Sequence, residues 1–361
     1  MYFLLRYRRL FSLYFNIYTI VFERLFMVKA IALFSGGLDS MLAAELIRRL
    51  KIDVLGLTFT TPFFDAQKAC YAASVLNLPL VVEDITTPHL KMLKSPRYGY
   101  GKNMNPCIDC HTLMLQIAGE RMKKTGFDFI ITGEVLGQRP MSQNKQSLYI
   151  VAKNSGYSDY ILRPLSAQLL DPIKAERDKI IDRSQLLAIQ GRGRKFQIKL
   201  AADFGIADYA PPAGGCLLTD PMFTRRLRDL FSHQEDHDIH DLDLLKYGRH
   251  FRADDQGKII VGRNNSDNEN LRELSTDDDI VLFVADFPGP LVIIPHGIIA
   301  LLPLAAALCV RYSDAPSDRE ANVIYQHKNS SNIIKAKAAA REDCEKWVIY
   351  NKTRGLDGLE V

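Results

Sequence analysis

The sequence predicts an α/β fold, a doubly wound and mainly parallel sheet followed by a smaller α+β domain. From Lys29 onward, short apolar runs alternate with segments whose apolar residues recur every three or four positions. A glycine-containing turn, 35–40, separates the first apolar run from the first helical segment. After Arg228 this alternation gives way to short β-like runs. Alternating strands and helices build parallel sheets that are covered on both faces and bind ligands at the carboxyl ends of the strands.

Each predicted strand is a short apolar run, and the first predicted helix has apolar residues three and four positions apart, whereas 171–190 is predicted as a polar helix. The first helix ends in a basic cluster, which suits the helix dipole. The predicted strands of the first domain are 30–34, 54–60, 80–85 and 127–132, and its predicted helices are 41–50, 66–76, 112–124, 171–190 and 196–204. The β-like runs of the second domain are 258–261, 280–284 and 291–294.

Length and composition agree with two domains, because 361 residues correspond to roughly two units of ~150 residues. The predicted segments are an N-terminal extension that is non-native or flexible, 1–26, a first domain, 27–230, a His- and Asp-rich linker, 231–244, and a second domain, 245–361. The net charge of +4 is mild, so any nucleic-acid partner must be indicated by local clusters. Six cysteines in so long a chain are no disulfide framework and indicate a reducing, cytoplasmic setting.

Neither apolar stretch of the sequence predicts a membrane span. The aromatic-rich stretch 10–22 is shorter than the roughly 20 residues that a spanning helix needs, and Met27 is typical of a natural start. Four prolines break the uncharged run 287–310, so a buried strand followed by a helix is the better interpretation. We therefore expect no membrane partner.

The turn 35–40, with the sequence Ser-Gly-Gly-Leu-Asp-Ser, is a candidate phosphate loop. Its glycines let the backbone approach a ligand, and the helix that follows offers free N–H groups and the positive end of its dipole. Ser35 and Ser40 can donate hydroxyl hydrogen bonds, and Asp39 can hold Mg²⁺ against the phosphates. The loop has no lysine of the Walker type. The alternative is an ordinary glycine turn capped by Asp and Ser.

This loop resembles the PP-loop of the N-type ATP pyrophosphatases, which have an adenine nucleotide alpha hydrolase-like fold. The resemblance implies cleavage of ATP to AMP and pyrophosphate, with adenylation of an acceptor oxygen. It also implies that Ser35, Gly36, Gly37, Asp39 and Ser40 grip the pyrophosphate. At the end of the fourth strand, Gly133 and the segment 134–143 resemble the nucleotide-facing strand end of PP-loop tRNA thiolation enzymes. Gln138 and Arg139 are candidates there for contacting ATP or the target base.

Three cysteines extend the resemblance. Cys107 and Cys110 lie in the segment Asn-Pro-Cys-Ile-Asp-Cys before a helix, and Cys216 follows two glycines far downstream. A thiol at a helix N-terminus is expected to be acidified. The pattern resembles the tRNA 2-thiouridylases, which implies that Cys110 and Cys216 carry out sulfur transfer. It also resembles thiolases that bind a [4Fe–4S] cluster through three thiolates, here Cys107, Cys110 and Cys216. Persulfide chemistry, zinc and inert buried thiols are the alternatives.

Basic clusters indicate RNA as the partner. One cluster, Arg192, Arg194 and Lys195, precedes a helix, and another, 225–228, follows Cys216. Solvated helix faces are the alternative interpretation. Within the second domain, 247–252, 258–264 and 268–271 resemble the NFACT RNA-binding domain. That resemblance implies RNA contacts by Arg249, Arg252, Lys258, Arg263 and Asn264.

Taken together, these resemblances predict ATP-dependent thiolation of tRNA, with Asp39, Cys110 and Cys216 as catalytic residues. The implied cofactors are ATP, Mg²⁺ and a [4Fe–4S] cluster. The implied partners are tRNA and a sulfur donor, either a desulfurase, a carrier protein or sulfide, and a homodimer is compatible with them. The rival hypotheses are another PP-loop ligase or amidase and a non-catalytic RNA-binding adaptor with an ATP-binding fold.

Overall fold

The computed structural model describes residues 28–211, 215–253, 255 and 257–349. The predicted N-terminal extension, 1–26, lies outside these residues. The chain divides into two compact units between Cys216 and Leu217, which is earlier than the boundary at 230 that the sequence suggested.

The first unit is built on a five-stranded parallel sheet with the order β3-β2-β1-β4-β5. Its strands are β1 (Lys29–Leu33), β2 (Asp53–Thr60), β3 (Leu80–Asp84), β4 (Phe129–Thr132) and β5 (Ile161–Leu162). Its helices are α1 (Leu38–Arg49), α2 (Gln67–Leu76), α3 (Thr86–Lys94), α4 (Cys107–Thr125), α5 (Lys145–Asn154), α6 (Lys174–Arg177) and α7 (Lys195–Phe204). The strand order reverses at β1, between β2 and β4, and ligands of such sheets bind at this switch point.

Helices cover both faces of this sheet, as the sequence predicted. On β1, Ala30 and Ala32 pack into one apolar cluster with residues of α1, α2 and α7. Ile31 points the other way and packs with residues of α4 and α5. Both faces are therefore buried, which explains the continuous apolar runs of the strands.

One predicted helix of this unit, 171–190, is wrong. The chain there forms the four-residue α6 and a single 3₁₀ turn over Arg183–Gln185. Lys179 has a positive φ of 58°, which a continuing α-helix does not allow. This polar segment therefore forms a series of short turns and not one long helix.

The second unit contains a six-stranded antiparallel sheet with the order β11-β10-β8-β9-β7-β6. Its strands are β6 (Arg249–Phe251), β7 (Ile259–Val261), β8 (Ile280–Val284), β9 (Val292–Ile294), β10 (Ala321–His327) and β11 (Ser330–Ala336). Its helices are α8 (Pro221–His233), α9 (Ile239–Leu244), α10 (Asn265–Leu274), α11 (Leu302–Arg311) and α12 (Arg341–Trp347). The predicted smaller α+β domain is confirmed.

The proline-broken run 287–310 is a strand followed by a helix, as predicted. It contributes β9 and α11, both buried against the sheet of the second unit. Within the described residues, every helix is too short or too polar to cross a membrane.

The segment predicted as a linker, 231–244, is folded. It holds the end of α8 and all of α9, in which Leu242 and Leu244 are buried. Its acidic residues have structural roles, since the Asp238 side chain accepts a hydrogen bond from the Asp241 N–H and caps α9. A His- and Asp-rich composition therefore reflects caps and ion pairs here.

Candidate active site

The loop between β1 and α1 is shaped by one obligatory glycine. Gly36 has a φ of +72°, and a Cβ atom at this position would lie 2.2 Å from the carbonyl oxygen of Lys68. No other residue fits there. Gly37 is the N-cap of α1 and has no side chain to cap it, so the first-turn N–H groups of α1 lack a side-chain acceptor. A helix start of this kind favours a phosphate group.

The two serine hydroxyls hold the loop itself together. Ser40 Oγ donates to the carbonyl oxygen of Gly37 at 2.8 Å, and Ser35 Oγ lies 3.4 Å from Ser40 Oγ. Both hydroxyls therefore lie close to each other and to the backbone of Gly37, at the start of α1.

Asp39 carries the feature that points most directly to a ligand. Its Oδ2 accepts a hydrogen bond from Gln138 Nε2 at 2.8 Å, whereas its Oδ1 is buried without a hydrogen-bond partner. A buried carboxylate oxygen is normally satisfied, so this one has the chemistry of a cation ligand. Asp39 therefore fits the predicted Mg²⁺, and Gln138 holds its carboxylate in place.

Gly133 brings the end of β4 against the phosphate loop. A Cβ atom on Gly133 would lie 2.5 Å from the Ser40 backbone N and 2.7 Å from the Asp39 carbonyl carbon. The glycine is thus required for close packing of strand end and helix start. It also places the next residue, Glu134, beside the loop.

Glu134 is the centre of a buried ion chain that the sequence reading missed. It accepts hydrogen bonds from Arg163 Nε at 2.9 Å and lies 2.9 Å from His111 Nδ1. Burial opposes ionisation of Glu134, but Arg163 and His111 outweigh it and lower the pKa of this carboxyl to about 2. The carboxylate therefore stays charged and ties α4, β4 and the end of β5 together.

Cys107 and Cys110 lie in the first turn of α4, just ahead of His111. Asn105 Nδ2 donates to Cys107 Sγ at 3.3 Å, and His89 Nε2 lies 3.6 Å from Cys110 Sγ. Burial raises the pKa of the Cys110 thiol, and the charges of Cys216, Cys107 and Asp109 raise it further. The three cysteines are therefore close enough for their charges to interact.

That pKa corrects one expectation, because the start of a helix does not acidify Cys110. Burial and the neighbouring negative charges outweigh the helix dipole. In the part of the chain that the structure describes, no group of three or more His, Cys, Asp or Glu side chains is arranged to hold a single metal ion. All six cysteines lie in that part, and none is in a disulfide. Cys309 and Cys344 are buried, and Cys70 is exposed.

The basic cluster of the first unit lies at the edge of this site. The Gly191 N–H donates to the Leu136 carbonyl oxygen at 2.7 Å, which joins the cluster to the loop that follows β4. Arg192 and Lys195 are exposed, and Arg194 is the N-cap residue of α7. Positive charge is therefore available at the carboxyl ends of the strands.

The residues predicted to bind RNA in the second unit have structural partners. Asp229 forms ion pairs with Arg252 at 2.8 Å and with Lys258 at 3.2 Å, and both cations are largely buried. Both cations are therefore held by a carboxylate of their own unit. Asp229 precedes the predicted boundary, so its partnership could not be read from the sequence of the second domain.

The other three predicted RNA-binding residues are held near the surface. Arg263 pairs with Asp267, and Asn264 caps α10 by accepting the Asp267 N–H. The Arg249 guanidinium lies 4.9 Å from the ring centre of Tyr312. Asn264 therefore has a structural role as the N-cap of α10. In the neighbouring basic cluster, 225–228, Arg226 is buried and donates to the Leu245 carbonyl.

Comparison with known proteins agrees with this geometry. Residues 27–185 match the family model described as thiamine biosynthesis protein (ThiI), and residues 248–348 match the NFACT protein RNA binding domain. The first unit is therefore similar to the ThiI family, and the second unit is similar to the NFACT RNA binding domain. The chain is related to the PP-loop enzymes of tRNA thiolation, and the predicted resemblance is confirmed.

The similar proteins cover parts of the chain. The probable tRNA sulfurtransferase of Thermoanaerobacter sp. (strain X514) is 30% identical over 166 residues, 44% of this chain and 40% of that protein. The tRNA-specific 2-thiouridylase MnmA of Xanthobacter autotrophicus (strain ATCC BAA-1158 / Py2) is 23% identical over 246 residues, 62% and 59% of the two chains. The chain thus spans about two fifths to three fifths of the length of these relatives. A solved 4-thiouridine synthetase–RNA complex with bound ATP is 19% identical, covers 50% of this chain and 52% of that chain, and has a TM-score of 0.33.

Proposed function

We propose that this chain uses ATP to activate a uridine carbonyl oxygen of tRNA and replaces that oxygen with sulfur. One juxtaposition carries the proposal: the strand end of β4 touches both reaction centres. Gly133 packs on Ser40 of the phosphate loop, and the adjoining Glu134 binds His111, which follows Cys110. A phosphate site and a group of thiols are thereby fixed to the same two residues of one strand.

In the first step, the uridine carbonyl oxygen attacks the α-phosphorus of ATP, and the bond to pyrophosphate breaks. The first-turn N–H groups of α1 would bind the leaving pyrophosphate, since they are preorganised for its negative charge. Asp39 would hold Mg²⁺ through its free Oδ1, and the ion would neutralise charge on the phosphates.

In the second step, sulfur attacks the carbon that bears the adenylated oxygen, and AMP leaves with that oxygen. Cys107, Cys110 and Cys216 are the residues that would hold a [4Fe–4S] cluster, because the charges of Cys107 and Cys216 act on the Cys110 thiol, as expected of three thiols that lie close together. When bound, such a cluster supplies an iron that can carry sulfide. The alternative source is a persulfide that a desulfurase or carrier protein would form on Cys110 or Cys216. Its outer sulfur would bond to the uridine carbon as AMP leaves, the other thiol would then break the S–S bond by forming a disulfide between the two cysteines, and an external thiol would reduce that disulfide.

The RNA would approach over the strand ends. The exposed Arg192 and Lys195 support this direction, because they adjoin the loop whose Gln138 binds Asp39. Neutralising either residue is expected to reduce the number of counterions that tRNA binding releases by about one, which lowers the slope of the logarithm of affinity against the logarithm of salt concentration. Lys124→Gln, at the distant end of α4, is the control and should leave that dependence unchanged. The sulfur donor would be a desulfurase, a carrier protein or sulfide, and the setting the cytoplasm, where tRNA is modified.

The decisive assay supplies tRNA, ATP and a sulfur donor, either sulfide or a desulfurase with cysteine, and measures pyrophosphate and modified nucleosides by mass spectrometry. Asp39→Asn is expected to lower pyrophosphate release by about 100-fold or more, since metal-assisted charge stabilisation contributes several kcal/mol. The matched control is Asp203→Asn on the exposed face of α7, which should match the wild-type protein. Brisk AMP formation with no sulfur in the nucleosides would favour a PP-loop ligase instead.

The cluster is tested separately from the activity. Protein purified without oxygen should be brown and absorb near ~400 nm, and Cys107→Ala should bleach it. Cys70→Ala removes an exposed thiol outside the group and should keep the colour. Anaerobic wild-type protein that lacks iron would exclude the cluster and leave the persulfide.

A further inference from the structure

A cavity of about 320 Å³ in the first unit opens beside the phosphate loop. It lies between the first half of α2 and the segment 208–211, and is lined by Gly36, Lys68, Tyr71, Asp208, Tyr209 and Pro211, among others. We call it the α2 groove. Its volume is at the lower end of the range for small-ligand sites, which suits one nucleotide.

The α2 groove borders the phosphate loop and has one residue near the segment that precedes Cys216. Gly36 presses against the Lys68 carbonyl, and Gly37 forms a parallel bridge with Ala210. A Cβ atom built on Gly215, which precedes Cys216, would lie 3.9 Å from Lys68 Nζ. A substrate that is first adenylated and then thiolated has to approach both the phosphate loop and the cysteines, and Lys68 of the groove lies near both segments.

The walls of the groove have the chemistry of a nucleotide site. Tyr71 is 54% exposed, and its hydroxyl donates to an Asp208 carboxylate oxygen, which fixes the orientation of the ring. Tyr209 supplies a second aromatic side chain, and Lys68 supplies an exposed ammonium group. Aromatic faces stack on unpaired bases, and lysine contacts phosphate.

The same walls are poorly suited to the ATP triphosphate. Lys68 is the one cation of the described lining residues, and the lining also holds the carboxylate of Asp208. Three adjacent phosphates need more positive charge or a row of N–H groups, and the start of α1 offers such a row. The groove therefore suits a singly charged nucleotide.

We propose that the α2 groove receives the tRNA nucleotide that is modified, with Tyr71 stacked on its base and Lys68 in contact with its phosphate. This assignment rests on the proposed function and adds the residues that recognise the substrate. The base leaves its neighbours in the RNA to enter, and stacking on Tyr71 offsets part of that cost.

The test uses tRNA transcripts that contain 5-bromouridine, which crosslinks to aromatic side chains under ultraviolet light. Mass spectrometry of the wild-type protein should place crosslinks in the peptides that hold Tyr71 or Tyr209. Tyr71→Ala should weaken both crosslinking and thionucleoside formation by about 10-fold, since stacking contributes roughly 1–3 kcal/mol per base. Tyr71→Phe keeps the ring and should stay within about threefold of the wild type.

Two comparisons make the result unambiguous. Tyr149 on α5 is 60% exposed, so Tyr149→Ala removes an equally accessible ring and should change nothing. Binding of a fluorescent ATP analogue should be the same in Tyr71→Ala and the wild type, which also shows that the variant is folded. Lys68→Gln should weaken tRNA binding and reduce the number of counterions released on binding by about one, as read from the salt dependence of the affinity.

Two results would overturn the assignment. One is crosslinking confined to other peptides while Tyr71→Ala still thiolates tRNA at the wild-type rate. The other is a Tyr71→Ala variant that loses ATP affinity, which would make the groove part of the ATP site. Failure of the proposed function itself looks different, because the wild-type protein would then form no thionucleoside before any variant is made.

Discussion

Replacing Glu134 by glutamine should destabilise the first unit more than any surface change. The carboxylate lies between Arg163 and His111, and the side chains of Glu134 and Arg163 are each 7% exposed. A pKa of about 2, against 4.5 for a free glutamate, corresponds to roughly 3 kcal/mol of stability at neutral pH. Removing one partner of a buried pair costs about 3–5 kcal/mol, because the other charge is left unpaired.

The control for this variant is Glu83→Gln. Glu83 pairs with Arg121 in the same unit, but their side chains are 31% and 32% exposed, so the loss should be at most about 1 kcal/mol. Trp347, the single tryptophan, reports on the second unit by fluorescence. Hydrogen exchange of peptides from β4 and α4 isolates the first unit, since a two-unit chain need not unfold in one step.

The sign of the pH dependence follows from the lowered pKa. The contribution of Glu134 is fully present above pH ~4.5 and is lost as the pH falls towards ~2, because the unfolded chain takes up the proton first. Glu134→Gln should remove this acid-sensitive part. Equal destabilisation by Glu134→Gln and Glu83→Gln would refute the reasoning.

Three further predictions concern the loop and the second unit. Gly133→Ala should abolish binding of a fluorescent ATP analogue while the unit stays folded by circular dichroism, because the methyl group would displace the backbone of Ser40. Asp229→Asn leaves two buried cations without their countercharge, so the unfolding transition seen by tryptophan fluorescence should weaken by about 3–5 kcal/mol. Asp279 raises the pKa of His240, so stability from this pair is present below pH ~6.5 and is lost as the pH rises through the raised value. When the free energy of unfolding is measured by urea titration at a series of pH values, His240→Gln should remove the loss of stability above pH ~6.5. A loss as large as in the wild type would contradict the assignment.

Local patterns in the sequence predicted the fold and the phosphate loop well. The strands and the turn 35–40 are determined by residues that are close in the sequence. The positive φ of Gly36, for example, is what a tight glycine turn requires. The helix 171–190 was wrong because a polar stretch with helical spacing carries no apolar face to hold it. Helical spacing in a sequence predicts a helix reliably only where an apolar face can pack against the rest of the fold.

The sequence could not separate buried charges from exposed ones. Glu134 is 23 residues from His111 and 29 from Arg163, so their contact exists only in the folded sheet. The resemblance to the NFACT domain predicts an RNA contact for Lys258 but does not reveal the buried ion pair that Lys258 forms with Asp229. Such pairs are set by distance in space, and a basic residue alone does not reveal its partner.

The central claim is that the uridine carbonyl oxygen attacks ATP, and isotope transfer tests it most directly. The measurement uses tRNA whose uridine carbonyl carries ¹⁸O, together with ATP and sulfide, and determines the mass of the AMP that is formed. Because the oxygen leaves with AMP when sulfur replaces it, we predict ¹⁸O in the AMP phosphate, one label for each sulfur atom that enters the tRNA. Unlabelled AMP formed at the rate of thionucleoside formation would contradict adenylation of the base.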